Sequence, residues 1–90
     1  MQQISAVIIT LNEERNLENC IRSIQSIADE IIILDSYSTD NTLSIAKKYN
    51  CRIKQEQFMG FGPQKNRAIA LASHAWILSI DADEIGRAHV

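Results

Sequence analysis

The sequence predicts an α/β fold, a mostly parallel sheet of about four strands with helices on both faces. Three observations predict it. Short apolar, largely β-branched runs alternate with stretches whose apolar residues recur at three- and four-residue steps, the pattern of strands alternating with amphipathic helices. Two of the runs, Ile4 to Ile9 and Ile31 to Leu34, carry almost no polar residue, as strands buried on both faces of a parallel sheet do. Polar clusters then follow three runs, at Thr10 to Glu13, Asp35 to Asp40 and Asp81 to Glu84. Open α/β sheets bind ligands beyond the carboxyl ends of their strands, where these clusters fall.

The elements follow in order. Ile4 to Ile9 is the first strand, broken only by Ser5. Asn12 is placed to cap the next helix, and Glu13 and Glu14 complement its positive end. Leu17, Cys20, Ile21, Ile24 and Ile27 give that helix one apolar face. Ile31 to Leu34 is the second strand and runs into Asp35. A polar turn, Ser36 to Asn41, offers Ser38, Thr39 or Asp40 as caps for a second helix marked by Leu43, Ile45, Ala46 and Tyr49. Lys47 and Lys48 suit the C-terminal end of that helix. Cys51 to Gln55 alternates as a third, more exposed strand, and Glu56 to Gly62 forms a loop. Pro63 fits the first turn of a third helix, where its missing N–H leaves nothing unpaired. Ala68, Ile69 and Ala72 line that helix, with Lys65 one turn earlier on the same side. Trp76 to Ile80 is the fourth strand, with Trp76 expected to pack, and it ends in Asp81-Ala82-Asp83-Glu84.

Composition narrows the function. Nine basic residues against eleven acidic ones give a net charge of −2, which excludes the basic footprint of a nucleic-acid binder. At 46% hydrophobic and 22% charged, the chain is globular rather than a disordered tail. No apolar stretch approaches the ~20 residues of a membrane span. The two cysteines, Cys20 and Cys51, make no disulfide framework and have no zinc-ligand spacing. The N-terminal residues lack a basic segment followed by an apolar one, so a cytoplasmic location is expected.

Four constellations carry chemistry. Asp81-x-Asp83 places two carboxylates directly after a buried strand, where they can converge on one hard cation such as Mg²⁺ or Mn²⁺. A solvated acidic turn is the bland reading, and the position after a strand argues against it. Asp35, at the end of the second strand, is suited to a ribose hydroxyl or base N–H and equally to capping its own turn. Asp40 and Thr42 belong to the helix start. Thr10-Leu11-Asn12-Glu13 brings the first helix N-terminus to the same edge, without G-x-G-x-x-G or G-x-x-x-x-G-K-[ST]. A standard dinucleotide oxidoreductase and a P-loop enzyme are therefore both disfavoured. Lys65, after Gly60-Phe61-Gly62-Pro63, is placed to meet a phosphate as a point charge.

Together these residues resemble the family 2 glycosyltransferases of the GT-A fold. The resemblance rests on ISAVIITLNEERNLENCIRSI, ADEIIILDSYSTDNT and GFGPQKNRAIALASHAWILSIDADE. The loop FMGFGPQKNRAI points to the bacterial branch that adds a β-1,4-linked glucose to the lipopolysaccharide inner core. The resemblance implies a truncated, Rossmann-like GT-A half that binds a nucleotide sugar, with a UDP-linked donor such as UDP-glucose and Mg²⁺ or Mn²⁺. It places donor contacts on Thr10, Asn12, Glu13, Asp35, Lys65 and Asp81, and the metal on Asp81 and Asp83. It implies transfer with inversion to a lipopolysaccharide-core or other glycan acceptor, and work at the inner face of the cytoplasmic membrane without a membrane anchor. The general base and the acceptor-binding half are expected downstream of Asp-x-Asp, so no base is assigned within this chain and the chain alone is expected to be inactive. A sugar-phosphate nucleotidyltransferase, or a nucleotide-sugar-binding module without catalysis, is the alternative.

The expected organisation is a nucleotide-sugar-binding part over residues 1–84 and a non-native tail over 85–90. Glu84-Ile85-Gly86-Arg87-Ala88-His89-Val90 departs from the family pattern and back-translates as GAG ATC GGA AGA GCA CAC GTC. From the second base on, that resembles a common short-read sequencing adapter. Residues 85–90, His89 included, are accordingly given no functional role.

Overall fold

The computed structural model describes residues 3–82. Asp83, Glu84 and the expected tail lie outside the described residues. The elements are β1 (Ile4–Thr10), α1 (Leu17–Ile24), β2 (Glu30–Asp35), α2 (Thr42–Lys48), β3 (Arg52–Gln55), α3 (Phe61–Ala70) and β4 (Trp76–Asp81). All four strands are parallel, in the order β3-β2-β1-β4. Each element expected from the sequence is present.

The core explains the alternation. Ala6, Ile8 and Ile33 face Leu17, Cys20, Ile21 and Ile24 of α1 and Ala46 of α2. Val7, Ile32 and Leu34 point the other way and pack on Ala68 of α3. Successive strand residues thus serve opposite layers, and β1 and β2 must be apolar on both. Cys20 is buried and forms no disulfide. Cys51 is half-buried, and burial pushes its thiol up to about 11, far from thiolate chemistry.

Crossovers through α1 and α2 carry the chain from β1 outward to β3. The crossover through α3 returns it past β1 to β4. The direction of winding reverses between β1 and β4, the switch point at which such sheets open a crevice.

Several local expectations are corrected. Asn12 does not cap α1. Its φ of 53° is left-handed, a conformation Asn tolerates, and α1 starts only at Leu17 after a turn. Ile27 leaves the apolar face because α1 ends at Ile24, so Ile27 is 51% exposed. Trp76 is not core. It is 58% exposed on β4, which lies at the edge of the described sheet. Ile69 turns partly outward, and the buried positions of α3 are Gln64 and Ala68, one helical turn apart.

The two sheet edges differ. On β3, Arg52 and Lys54 are exposed, and charge blunts an edge against pairing. On β4, Trp76 and Ile77 are exposed beside an apolar groove that Ile4, Ile27 and Leu78 complete. We expect the isolated chain to self-associate through this face, and Ile77→Lys to reduce that association in sedimentation velocity. A monomeric parent chain with a sharp cooperative melt counts against it.

Candidate functional site

The carboxyl ends of β1 and β2 and the start of α3 enclose a cavity of about 270 Å³. Thr10, Glu13, Ser36, Phe58, Phe61 and Gln64 are among its lining residues. Ligand pockets run from roughly 300 to 1,000 Å³, so this cavity suits one portion of a ligand whose remainder lies over the strand ends.

The loop after β1 and the loop after β2 are built as one unit. The Asn12 backbone N–H donates to Ser38 Oγ (2.8 Å), and Asn12 Oδ1 accepts from the Thr39 N–H (2.8 Å). The Glu13 N–H donates to Thr42 Oγ1 (2.9 Å) and the Glu14 N–H to Asp40 Oδ2 (3.2 Å). Asp40 Oδ1 also accepts from the Thr42 N–H (2.9 Å), so Asp40 and Thr42 do organise a helix start. They also satisfy the donors of the first loop. Burial alone would raise the Asp40 carboxyl, but the Thr42 hydroxyl and the backbone N–H groups of Thr42 and Glu14 outweigh it and hold it below its ordinary value.

Asp35 sits beneath this interlock. It is wholly buried and lies opposite Thr10 in the β1–β2 register. Oδ1 accepts from Thr10 Oγ1 (2.6 Å) and Ser38 Oγ (2.5 Å). Oδ2 accepts from the Ser38 N–H (2.8 Å) and Gln55 Nε2 (3.3 Å). Of its two sequence readings, the geometry shows the turn-capping one. Both carboxylate oxygens accept bonds from the surrounding loops, and none of the residue reaches solvent. Thr10 is likewise buried, with its hydroxyl spent on Asp35. The Asn12 amide oxygen is spent on Thr39. Glu13 is half-buried and lines the cavity.

The structure brings two other expected residues together. Lys65 Nζ lies 3.5 Å from Asp81 Oδ1, both partly exposed. Asp81 pairs across from Ile9 in the β1–β4 register, so Asp35 and Asp81 flank the end of β1 on either side. Asp81 offers a hard carboxylate oxygen at a strand end, with a cation already facing it. That donor chemistry fits Mg²⁺ or Mn²⁺. Among the described residues, no group of three or more His, Cys, Asp or Glu gathers to hold a metal ion; Asp83 lies outside them. No helix of the described residues is long and apolar enough to cross a membrane.

Three lining features were not anticipated. Ser36 borders the cavity, Phe58 and Phe61 meet edge to face at 5.2 Å between ring centroids, and Gln64 is buried beside them. Gln64 lies four residues before Ala68, so helical spacing alone placed it on the buried face.

Comparison with known proteins agrees with this geometry. The profile of Glycosyl transferase family 2 matches residues 5–86. A glycosyltransferase of Rickettsia felis without assigned activity is 43% identical over 84 residues, 93% of this chain and 30% of that protein. The lipopolysaccharide core biosynthesis glycosyltransferase LpsC of Rhizobium meliloti is 42% identical, over 90% of this chain and 32% of its own length. Glucosyl-3-phosphoglycerate synthase of Mycobacterium tuberculosis, solved with Mn²⁺, UDP and glucosyl-3-phosphoglycerate, superposes with a TM-score of 0.79 at 33% identity. It is matched over 91% of this chain and 34% of its own. The chain therefore spans about a third of the length of these relatives, carries the α/β sheet of the GT-A fold, and belongs to glycosyltransferase family 2.

Proposed function

We propose that this chain is the donor-binding part of an inverting, metal-assisted glycosyltransferase that moves a sugar from a UDP-linked donor to a lipopolysaccharide-core or other glycan acceptor. The observation that carries it is the meeting of Lys65 and Asp81 at the end of β4, beside a cavity at the end of β1. The synthase above, solved with Mn²⁺ and UDP-glucose, supports a UDP donor and a divalent cation. The similarity to LpsC supports the acceptor class.

In this reading Glu13 and Ser36 face the nucleoside, and Lys65 meets the diphosphate as a point charge. Asp81 and Asp83 would hold the cation, which would neutralise the departing nucleotide. Asp35, Thr10 and Asn12 act from behind by holding the two loops in register. No residue of this chain is assigned as general base.

A second reading is nucleotide-sugar binding without catalysis, in which the described site residues Glu13, Ser36, Lys65 and Asp81 all serve the donor. Calorimetry separates the readings from an inert fragment. UDP is expected to bind only with Mn²⁺ or Mg²⁺, and Asp81→Ala or Asp83→Ala is expected to weaken binding at least ten-fold. A folded sample that ignores UDP and metal together sinks both readings. Glucose release from UDP-glucose by the chain itself would sink the second alone.

A further inference from the structure

Gln64 is the one buried polar residue of α3, 2% exposed, and it ties the loop before α3 to the loop after β2. Its Oε1 accepts from the Met59 backbone N–H (3.3 Å) and its Nε2 donates to Ser36 Oγ (3.1 Å). The direction of this chain of bonds is fixed by chemistry. A backbone N–H only donates, so the amide face towards Met59 must be the oxygen. The amide nitrogen then faces Ser36, which must accept. The Ser36 backbone N–H is already spent on the Thr10 carbonyl (2.9 Å). With one lone pair of Oγ taken, the hydroxyl proton of Ser36 remains to be donated elsewhere, and Ser36 borders the cavity.

The same amide holds the cavity wall. Met59 lies between Phe58 and Gly60, and Gly60 takes a φ of 100° to turn the loop into α3. By fixing the Met59 N–H, Gln64 seats the Phe58–Phe61 pair. Ile9, Leu11 and these two rings give the cavity apolar sides, suited to the faces of a flat base, with Ser36 at the edge.

We propose that Gln64 is a positioning residue for nucleobase recognition: it orients Ser36 as a hydrogen-bond donor to a carbonyl oxygen of the donor's base and holds the aromatic wall against that base. This rests on the donor-binding reading above.

The test uses uridine, which needs neither metal nor diphosphate, and a double-mutant cycle on the chain. Gln64→Glu keeps an acceptor for Met59 but offers no N–H to Ser36, and it draws the Ser36 proton back onto itself. Uridine binding is expected to weaken about ten-fold in Gln64→Glu and in Ser36→Ala, with no further loss in the double variant. Additive losses, or no loss in Gln64→Glu, overturn the proposal. An equal loss for ribose 5-phosphate overturns the assignment to the base. Far-UV circular dichroism checks folding. Should Gln64→Glu unfold, Gln64→Met fills a similar volume without polar atoms, and the same loss is expected, with unchanged affinity overturning the proposal. Wild-type binding of uridine that Gln64→Glu leaves intact sinks this inference and spares the donor-binding reading. A folded wild type that binds neither uridine nor UDP with Mn²⁺ sinks both.

Discussion

Replacing Asp35 by Ala is expected to destabilise the chain by about 3 kcal/mol and to remove nucleotide binding with it. The carboxyl group is wholly buried and receives Thr10 Oγ1, the Ser38 N–H, Ser38 Oγ and Gln55 Nε2. Truncation deletes the acceptor and leaves the donors behind, at about 1–3 kcal/mol for each one that stays buried and unmet. Ser38 and Gln55 are partly exposed and recover some of this from water; the buried Thr10 hydroxyl does not. For a domain of this size, the loss lowers the melting temperature on the order of 10–20 °C. The binding effect follows from the interlock, since Ser38 also receives the Asn12 N–H and Ser36 lies next to Asp35 in the chain. Urea unfolding followed by circular dichroism measures the first effect and calorimetry with UDP and Mn²⁺ the second. An unchanged midpoint would remove Asp35 from the centre of the loop structure.

Asp35 also shows where the sequence was legible and where it was not. That a polar residue ends an apolar run is visible in the letters, and so is the strand end it marks. Whether its oxygens turn outward to a ligand or inward to the loop depends on Thr10 and Gln55, twenty-five and twenty residues away, as well as on nearby Ser38. The Asn12 and Ser38 pairing has no local signature, because each residue alone reads as a cap for its own helix. The strands and the faces of α1 were legible because periodicity is local. The ends of α1 were not, because the loop before it spends its donors on Ser38, Asp40 and Thr42 rather than on capping. Lys65 and Asp81 were named separately from a helix start and a strand end. Their approach to 3.5 Å follows from α3 crossing back to β4, which alternation implied but did not measure. Trp76 was misread because a large apolar residue at a strand start does not tell an edge from a centre.

Glu30 at the opposite end of the sheet is expected to set the acid limit of stability. Its carboxyl group joins three elements: Ser5 of β1 donates its hydroxyl, Arg52 of β3 its guanidinium (2.7 Å), and Ser73, before β4, its N–H and hydroxyl (2.8 and 3.0 Å). Burial alone would raise this carboxyl. The Ser5, Arg52 and Ser73 donors outweigh that and bring it from 4.5 down to about 2. The folded state thus holds the charged form more tightly than the unfolded chain does. The resulting stability is fully present above pH 4.5 and is lost as the pH falls through about 2. A shift of this size corresponds to about 3 kcal/mol, at 1.36 kcal/mol per unit. The Glu30 side chain is only 14% exposed, but its Arg52 partner is 54% exposed, so solvent screens part of this and about 3 kcal/mol is an upper figure. Glu30→Gln is expected to lower stability near neutral pH by an amount of that order and to flatten the fall between pH 4.5 and 2. The site residues sit at the far ends of the strands, so UDP affinity per folded molecule should not change. Denaturant melts of both proteins across the acid range measure the first effect. Parallel slopes for parent and variant would show that Glu30 is not the group whose protonation unravels the sheet.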